Sequence, residues 1–282
     1  MRSSLVRFLR SLVKEWNYAR GRKAPCYMGN NKVLTHVRGF MMLCPSDDLG
    51  GTPHLIVHGH WELAVTHVFE SVLKPGMTVL DIGANIGYFT LHAARSVGSE
   101  GKVMAFEPTP DNLHFLRSNL LMNGFSWVQV IDQALWNEAG TMTMRTLEGF
   151  SGGHTLIGVA PDQLAEHEMV EVPTVRLDDL LGHDNHVDVI KMDAEGAEPM
   201  ILEGMEKTLA ANPKLKILLE FAPESLQAVG RDYHEYLRAL EKQGFSIGLI
   251  DWDVQVKPID LKKLDELIPT RAWPQILLLE RG

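Results

Sequence analysis

Cysteine and long apolar runs are both scarce in this 282-residue sequence. Cys26 and Cys44 are its two cysteines, too few for a disulfide framework or a cysteine-rich zinc site. No apolar stretch approaches the roughly 18 residues that a membrane-spanning helix needs, and the N-terminus lacks the long apolar core of a secretory signal. We therefore expect a protein of a reducing compartment, located in the cytoplasm.

Positive charge is scarce beyond the N-terminus. The formal net charge is -9, yet residues 1–23 hold seven basic side chains against one acidic side chain. That segment thus carries +6 and the remaining chain -15. Because binding to nucleic acid depends largely on Lys and Arg that neutralise phosphates, the acidic body argues against a nucleic acid substrate.

The basic N-terminal segment is followed by short β-prone runs. Over residues 3–17 the apolar side chains recur at helical spacing with Arg and Lys between them, which predicts a basic amphipathic helix. This helix could contact an anionic membrane or an acidic partner, or it could pack on the domain with its basic face in water. The runs 33–37, 40–43 and 54–57 predict a small β hairpin or meander, so residues 1–58 form a predicted extension.

Residues 59–282 alternate strand-like and helical patterns, which is typical of a parallel sheet covered on both faces. The predicted strands are 78–82, 102–106, 127–131, 187–192, 215–221, 246–250 and 275–279, with extra short strands at 142–144 and 170–175. The predicted helices are 61–73, 88–96, 112–123, 197–212 and 232–243. We therefore expect a single α/β domain over this part of the chain.

The first strand of this domain ends in a glycine turn, which reads D-I-G-A-N-I-G-Y from Asp81 to Tyr88. Open parallel sheets bind ligands beyond the carboxyl ends of their strands, and Gly83 and Gly87 would let the backbone approach a ligand closely. A dinucleotide fingerprint would read G-x-G-x-x-G and hold a pyrophosphate. Asp81 would repel a pyrophosphate, so the turn favours a cofactor with sulfonium and ammonium groups over a nicotinamide cofactor.

Acidic residues follow two further strands. Glu107 ends the second strand, roughly 20 residues beyond the glycine turn, where such folds place an acid that binds ribose hydroxyls. A solvated glutamate at the end of a strand is the alternative interpretation. At the end of the fourth strand, Lys191 and Asp193 share one side because strand side chains alternate, and Glu195 shares it if the strand continues. Three ionisable groups are therefore predicted near the cofactor.

These motifs resemble the FkbM family of methyltransferases. The resemblance rests on D-I-G-A-N-I-G-Y-F-T at 81–90 and I-K-M-D-A-E-G-A-E at 190–198, and it extends over about residues 59–279. It implies a Rossmann-like methyltransferase sheet of seven mostly parallel strands with an antiparallel last strand. It further implies S-adenosylmethionine as the cofactor and O-methylation of a hydroxyl on a small molecule, a sugar or a glycan.

The resemblance also assigns residues to the cofactor. Glu107 would bind the ribose hydroxyls, Gln133 and Ala134 would border the adenine, and Asp132 is a weaker candidate beside them. The methionine and sugar portion would contact the residues of the glycine turn, namely Asp81, Gly83, Asn85 and Gly87.

Methyl transfer to an alcohol needs in-line geometry and removal of the hydroxyl proton. Asp193 or Glu195 is the expected general base, with Lys191 orienting it, and the sequence does not choose between the two acids. Glu220, at the end of the fifth strand, could reach the substrate or could pair with a lysine. Glu62 could close over the site.

Other functions remain as alternatives. His54, His58 and His60 are crowded together, and His58 and His60 could share one face of a strand. No carboxylate or cysteine ligand follows at a recognised spacing, so we expect no metal. The N/D-P-P-Y/F motif of adenine methyltransferases is missing, since the sequence after the fourth strand reads D-A-E-G. Methylation of a small-molecule or protein amine and a non-catalytic scaffold role stay open.

Overall fold

A computed structural model describes residues 24–147, 149, 152, 167–183, 185–268 and 274–281. The helix predicted over residues 3–17 lies outside this range. The strands are β1 (Cys26–Gly29), β2 (Lys32–Val37), β3 (Phe40–Pro45), β4 (Thr78–Ile82), β5 (Lys102–Phe106), β6 (Gln129–Ile131), β7 (Ala134–Leu135), β8 (Gly140–Leu147), β9 (His167–Val175), β10 (Val189–Met192), β11 (Lys216–Phe221), β12 (Phe245–Ile250), β13 (Val256–Pro258) and β14 (Gln275–Arg281).

The helices of the described residues alternate with these strands. They are α1 (Gly51–His58), α2 (Leu63–Val72), α3 (Tyr88–Val97), α4 (Pro110–Met122), α5 (Leu177–Leu181), α6 (Glu198–Glu203), α7 (Glu206–Ala211), α8 (Pro223–Ala228), α9 (Tyr233–Lys242) and α10 (Leu264–Leu267), with a 3₁₀ turn at Leu261–Lys263. None of them combines the length and the apolarity needed to cross a bilayer.

The central sheet has the order β13-β12-β14-β11-β10-β4-β5-β6. Strands β4, β5, β6, β10 and β11 pair in parallel, and β14 lies antiparallel between β11 and β12. The predicted mostly parallel sheet with an antiparallel last strand is confirmed, and β13 adds a short antiparallel edge. Nearly every side chain of β4, β5, β10 and β11 is buried, as expected for strands covered on both faces.

The prediction of a strand at residues 54–57 is wrong, because this run belongs to helix α1. Asp48 accepts hydrogen bonds from the backbone N–H groups of Gly50 and Thr52 at the start of the helix. Gly59 ends it with a left-handed backbone (φ 69°), and its N–H donates to the carbonyl of Leu55. These two caps satisfy backbone groups at both helix ends and outweigh the β propensity of the apolar run.

The predicted helix 197–212 is divided into α6 and α7 at Gly204. A Cβ at this position would lie 2.1 Å from the carbonyl oxygen of Trp136, so tertiary packing requires a glycine there. Glycine is a poor helix residue because its backbone loses more conformational entropy on ordering. The contact between Gly204 and Trp136 thus accompanies the break between α6 and α7, which the periodicity of the sequence did not reveal.

The predicted β meander is present and packs against α4. Strands β1, β2 and β3 form an antiparallel sheet. Asn119 of α4 donates to and accepts from the backbone of Leu43 in β3, and Asn123, which follows the last residue of α4, does the same with Met41. Apolar side chains of this small sheet belong to the same buried cluster as those of β4 and α3. Residues 24–58, called the N-terminal segment from here on, are therefore built onto the α/β domain, and residues 1–23 lie outside the described range.

Candidate active site

A cavity of about 450 Å³ lies at the carboxyl ends of β4, β5, β10 and β11. This is the edge of an open α/β sheet at which ligands generally bind. Strand-end residues form its floor, and Gly50, Gly51 and Trp61 from the segment around α1 form part of its wall. The N-terminal segment thus contributes directly to the candidate site.

The glycine turn after β4 has the backbone geometry that its sequence predicts. Gly83, Asn85 and Gly87 all have positive φ, at 76°, 49° and 95°. However, a Cβ at Gly83 would lie 1.8 Å from the carbonyl oxygen of Asp193, and one at Gly87 would lie 2.7 Å from Leu116 Cδ1. A side chain at either glycine would thus collide with the protein itself. The sequence interpretation that these glycines admit a ligand stays a prediction. Gly83 and Asn85 line the cavity.

Asp81 lies beneath the cavity floor. Its carboxylate is buried and accepts a hydrogen bond from the Thr90 hydroxyl at 2.5 Å. Burial raises the pKa of Asp81 to about 6, although the Thr90 hydrogen bond and the charge of Lys191 lower it in part. Lys191 is its register partner on β10. Asp81 therefore lies under the residues that line the cavity, and its assigned role in cofactor binding stays a prediction.

Glu107 presents a rigidly held carboxylate to the cavity. Its Oε2 accepts the backbone N–H of Asn85 at 2.8 Å, and its Oε1 accepts the backbone N–H and the hydroxyl of Thr109 at 3.0 and 2.5 Å. Burial raises the pKa of Glu107, while these hydrogen bonds oppose the increase. The Asn112 side chain also donates to Glu107, so about four acceptor positions of the carboxylate are used. A ribose hydroxyl would bind Glu107 by taking the place of a side-chain donor.

The wall next to Glu107 is largely apolar. Gln133 and Ala134 line the cavity as expected, together with Phe106, Pro108 and Leu135. Asp132 instead forms an ion pair with Arg117 at 3.3 Å on the surface. An apolar wall with one amide group suits a flat heteroaromatic ring.

Lys191 and Asp193 are brought together as predicted. The buried Nζ of Lys191 donates to Asp193 Oδ2 at 2.7 Å and lies 4.8 Å from the centre of the Phe89 ring. Burial by itself would lower the pKa of Lys191, but the charges of Asp193 and Glu62 raise it above its ordinary value. Lys191 is therefore a fixed positive charge that orients the Asp193 carboxylate toward the cavity.

Glu195 and Glu220 join Asp193 in one acidic cluster. One carboxylate oxygen from each of the three residues lies within 4.8 Å of the others. The backbone N–H of Glu195, which has a φ of 52°, donates to Glu220 Oε2 at 3.2 Å. Burial and then the charges of Asp193 and Glu198 raise the pKa of Glu195 to about 8, and the same causes raise the pKa of Glu220 well above its ordinary value.

Glu62 is a further residue of the site. The sequence suggested only that it could close over the site. It precedes α2 with a left-handed backbone (φ 39°) and lines the cavity. Its Oε2 is buried and has no hydrogen-bond partner among the described residues. Burial raises the pKa of Glu62 to about 7, with the charge of Lys191 lowering it and that of Asp193 raising it. The local sequence could not reveal this burial, because it depends on residues of distant elements that line the same cavity.

The three crowded histidines form no metal site. His54 and His58 lie on α1, with ring centres 5.3 Å apart, and the rings of His58 and His60 are 5.9 Å apart. In the described part of the chain, Asp193, Glu195 and Glu220 are the residues whose ligand atoms converge in the manner of a metal site. The expectation that His58 and His60 share a strand face is wrong, since His58 lies in helix α1 and His60 follows Gly59, which ends that helix.

The comparisons with known proteins agree with this geometry. Residues 81–247 match the family model described as the methyltransferase FkbM domain. The chain is 27% identical over 223 residues to methyltransferase 1 of Beauveria bassiana (strain ARSEF 2860), covering 72% of this chain and 85% of that protein. It is 28% identical over 206 residues to the 31-O-demethyl-FK506 methyltransferase FkbM of Streptomyces tacrolimicus, covering 62% and 75%.

A solved structure of methyltransferase FkbM from Methylobacillus flagellatus KT is 16% identical, with a TM-score of 0.45, and the match covers 76% of this chain and 50% of that one. The family model spans more than half of the 282 residues. The chain therefore belongs to the FkbM family, and it is an S-adenosylmethionine-dependent methyltransferase.

Proposed function

We propose that this enzyme methylates a hydroxyl group of a small molecule, a sugar or a glycan, with S-adenosylmethionine bound in the cavity above β4 and β5. The observation that carries the proposal is the Glu107 carboxylate, which donors of Asn85, Thr109 and Asn112 hold at the cavity edge. A buried acid in this position matches the vicinal hydroxyls of a ribose. S-adenosylmethionine supplies an activated methyl group on a positively charged sulfur.

The cavity is divided chemically in a way that fits this cofactor. Glu107 lies beside the apolar wall of Phe106, Ala134 and Leu135, which suits the nucleoside. The acidic cluster lies on the opposite side of the glycine turn, at the ends of β10 and β11. Its negative charge favours the cationic end of the cofactor because opposite charges attract strongly where water is largely excluded.

The acidic cluster also provides groups that can accept the proton of a hydroxyl. Asp193 faces the cavity with Lys191 fixing one of its oxygens. Glu195 and Glu220 lie next to it, so a proton taken by one carboxylate can be shared with its neighbours. A positioned base of this kind contributes roughly 10²- to 10⁴-fold to a rate, and orienting the hydroxyl contributes further.

Methylation of an amine is the second candidate. The cavity carries the carboxylates of Glu62, Asp193, Glu195 and Glu220, and these would also attract an acceptor with an ammonium group. An ammonium must lose its proton before it can attack, and the same carboxylates could accept that proton. The two functions therefore differ in the atom that is methylated.

A methyl-transfer assay separates the candidates. The enzyme is incubated with S-adenosylmethionine carrying a labelled methyl group and with separate panels of neutral sugars, glycans and amines. The Glu107→Gln variant serves as the control with weakened cofactor binding. NMR of the product distinguishes an O-methyl from an N-methyl carbon. Label in hydroxyl acceptors supports the proposal, whereas label confined to amines would replace it with the second candidate.

A further inference from the structure

An exposed tryptophan stands at the same edge of the central sheet as the cavity. Trp252 lies in the turn that joins β12 to β13, and 82% of its surface is exposed. Strand β12 pairs antiparallel with β14, which pairs antiparallel with β11. Strands β12 and β11 therefore run in the same direction, and the turn after β12 lies at the edge where β11 ends. Methyl transfer as proposed assigns no role to this residue.

The strand register places this turn close to the acidic cluster. Through their shared partner β14, Ile250 of β12 lies level with Glu220 of β11, two strands away. At a strand spacing of about 4.8 Å, their main chains are about 10 Å apart. Pro274, which precedes β14 between these two strands, is exposed and lines the cavity. A ligand that extends out of the cavity past Pro274 would therefore meet the turn that carries Trp252.

The turn itself is firmly held. Lys257 of β13 forms ion pairs with Asp251 and with Asp253, the latter at 3.6 Å. The carboxylate of Asp251 also accepts the backbone N–H of Trp252 at 2.8 Å. Val254 has a left-handed backbone with φ 63°, which is rare and unfavourable for a β-branched residue. These interactions fix a turn that keeps a large apolar side chain in water, although its burial would stabilise the protein.

The chemistry of the turn suits a carbohydrate. The C–H groups on one face of a sugar ring are apolar and weakly positive, so they pack well against the negative face of an indole. Asp253 follows Trp252 directly, its side chain is 58% exposed, and a carboxylate can accept hydrogen bonds from sugar hydroxyls. With two carboxylates against one ammonium, the turn would repel an anionic lipid surface. A neutral ligand rich in hydroxyl groups therefore fits it best.

We propose that Trp252 and Asp253 form a docking subsite for one sugar unit of a glycan acceptor, while another unit of the same chain occupies the cavity beside Glu220. The subsite lies at least about 10 Å from Glu220 by the strand spacing, a separation that one sugar ring cannot span and a short chain can. The inference rests on the proposed function, and it narrows the acceptor from a small molecule, a sugar or a glycan to a glycan chain. Trp252 binds this chain and takes no part in the transfer itself.

A binding experiment tests the subsite without turnover. The probe is the polysaccharide extract of the source cells, coupled to beads, and the full chain is applied together with S-adenosylhomocysteine. We expect the wild type to be retained and Trp252→Ala to bind at least about 5-fold more weakly, as for aromatic residues that anchor an interface. Trp252→Phe should keep most of the affinity because an aromatic face remains. Tyr27→Ala is the matched control, since Tyr27 is an exposed aromatic residue on β1, and it should bind as the wild type does.

The outcomes distinguish failure of the subsite from failure of the proposed function. No retention of the wild type, or equal retention of Trp252→Ala, would overturn the subsite. Binding to vesicles of phosphatidylcholine and phosphatidylglycerol that depends on Trp252, in place of glycan binding, would overturn it too. With S-adenosylmethionine carrying a labelled methyl group, Trp252→Ala should raise KM for the extracted chains at least about 5-fold. It should leave kcat and the calorimetric affinity for S-adenosylhomocysteine unchanged. Retention that depends on Trp252 without label in any hydroxyl would keep the subsite and contradict the proposed function.

Discussion

At the residue scale, three non-glycine residues at the cavity adopt a left-handed backbone. Glu62, Asn85 and Glu195 have φ values of 39°, 49° and 52°, a conformation that costs a residue with a Cβ roughly 1–2 kcal/mol. The N–H of Asn85 donates to Glu107, and that of Glu195 donates to Glu220. The unfavourable backbone thus orients the two strand-end carboxylates, and the hydrogen bonds offset part of its cost.

Glu107→Gln tests the cofactor assignment. Backbone N–H groups of Asn85 and Thr109 donate to the two carboxylate oxygens, one to each. The NH₂ group of a glutamine would therefore face a donor in either orientation. The negative charge that strengthens hydrogen bonds to ribose is also lost. Losing hydrogen bonds to a charged group costs about 1.5–3 kcal/mol, so affinity for S-adenosylmethionine should fall roughly 10- to 150-fold by calorimetry. Glu138→Gln, at an exposed position, should bind normally. Wild-type affinity in Glu107→Gln would contradict the ribose assignment.

Gly83→Ala tests the junction between the glycine turn and the end of β10. Its Cβ would lie 1.8 Å from the carbonyl oxygen of Asp193, and φ is 76°. Gly124→Ala is a close control, because Gly124 has φ 77° and no atom within 4 Å of an added Cβ. In the control, backbone strain should lower the free energy of unfolding by about 1 kcal/mol. In Gly83→Ala the free energy of unfolding should fall by at least about 3 kcal/mol, because overpacking adds to that strain. Equal losses in urea denaturation would show that the contact with Asp193 is unimportant.

At the scale of elements, a buried histidine joins α2 to α3. The Nδ1 atom of His92 lies 2.7 Å from Glu70 Oε1, and Arg38 and Arg95 also contact Glu70. Burial lowers the pKa of His92 from 6.5 to about 4, although the hydrogen bond and charge of Glu70 oppose this shift. The native protein therefore holds this imidazole neutral over a pH range in which the unfolded chain takes up a proton.

This pKa difference predicts that stability decreases in mild acid. The contribution of neutral His92 is fully present above pH 6.5 and is lost as the pH falls through about 4. Between these values the unfolded state binds more protons, so the free energy of unfolding decreases by up to roughly 1.4 kcal/mol per pH unit. His92→Gln, which stays neutral and can still donate to Glu70, should reduce that slope in urea denaturation at pH 7.5 and pH 5.

The matched control for this measurement is His114→Gln, because His114 is exposed on α4. It should keep the wild-type dependence of stability on pH. A His92→Gln protein with the same acid sensitivity as the wild type would assign that sensitivity to other groups.

At the scale of the whole molecule, the N-terminal segment and the catalytic sheet share one apolar core. Val37, Phe40 and Met42 belong to the same buried cluster as Val79 and Leu91. The segment continues into α1, and Gly50 and Gly51 at the start of this helix line the cavity. Detachment of β1 to β3 should therefore disturb the cofactor site as well as stability.

Asn119→Leu tests this coupling. The Asn119 side chain satisfies the N–H and carbonyl of Leu43 and the carbonyl of Ile86. Leaving buried backbone groups unpaired costs about 1–3 kcal/mol each, so the variant should unfold at lower urea, lose proteolytic protection before residue 45 and bind S-adenosylmethionine more weakly. Leu121→Ala, at an exposed position on the same helix, is the control. Normal cofactor binding by a destabilised Asn119→Leu protein would show that the segment and the site are independent.

The sequence by itself determined the elements that depend on local signals. Alternating apolar strands and helices specified the parallel sheet, and D-I-G-A-N-I-G located the turn after β4 and the acid at Glu107. These features can be predicted because side-chain periodicity and glycine conformation act over a few residues. The helical character of residues 54–57 escaped because it depends on caps at Asp48 and Gly59.

Only the tertiary structure decided how distant residues meet. It placed Asp81 below the cavity floor with Thr90, and it put the Asp193 backbone where a side chain at Gly83 would lie. It also buried Glu62 opposite the acids of β10 and β11, more than 120 positions away in the printed sequence. The physical reason is that burial and charge clustering depend on which surfaces pack together, and no local pattern records that packing.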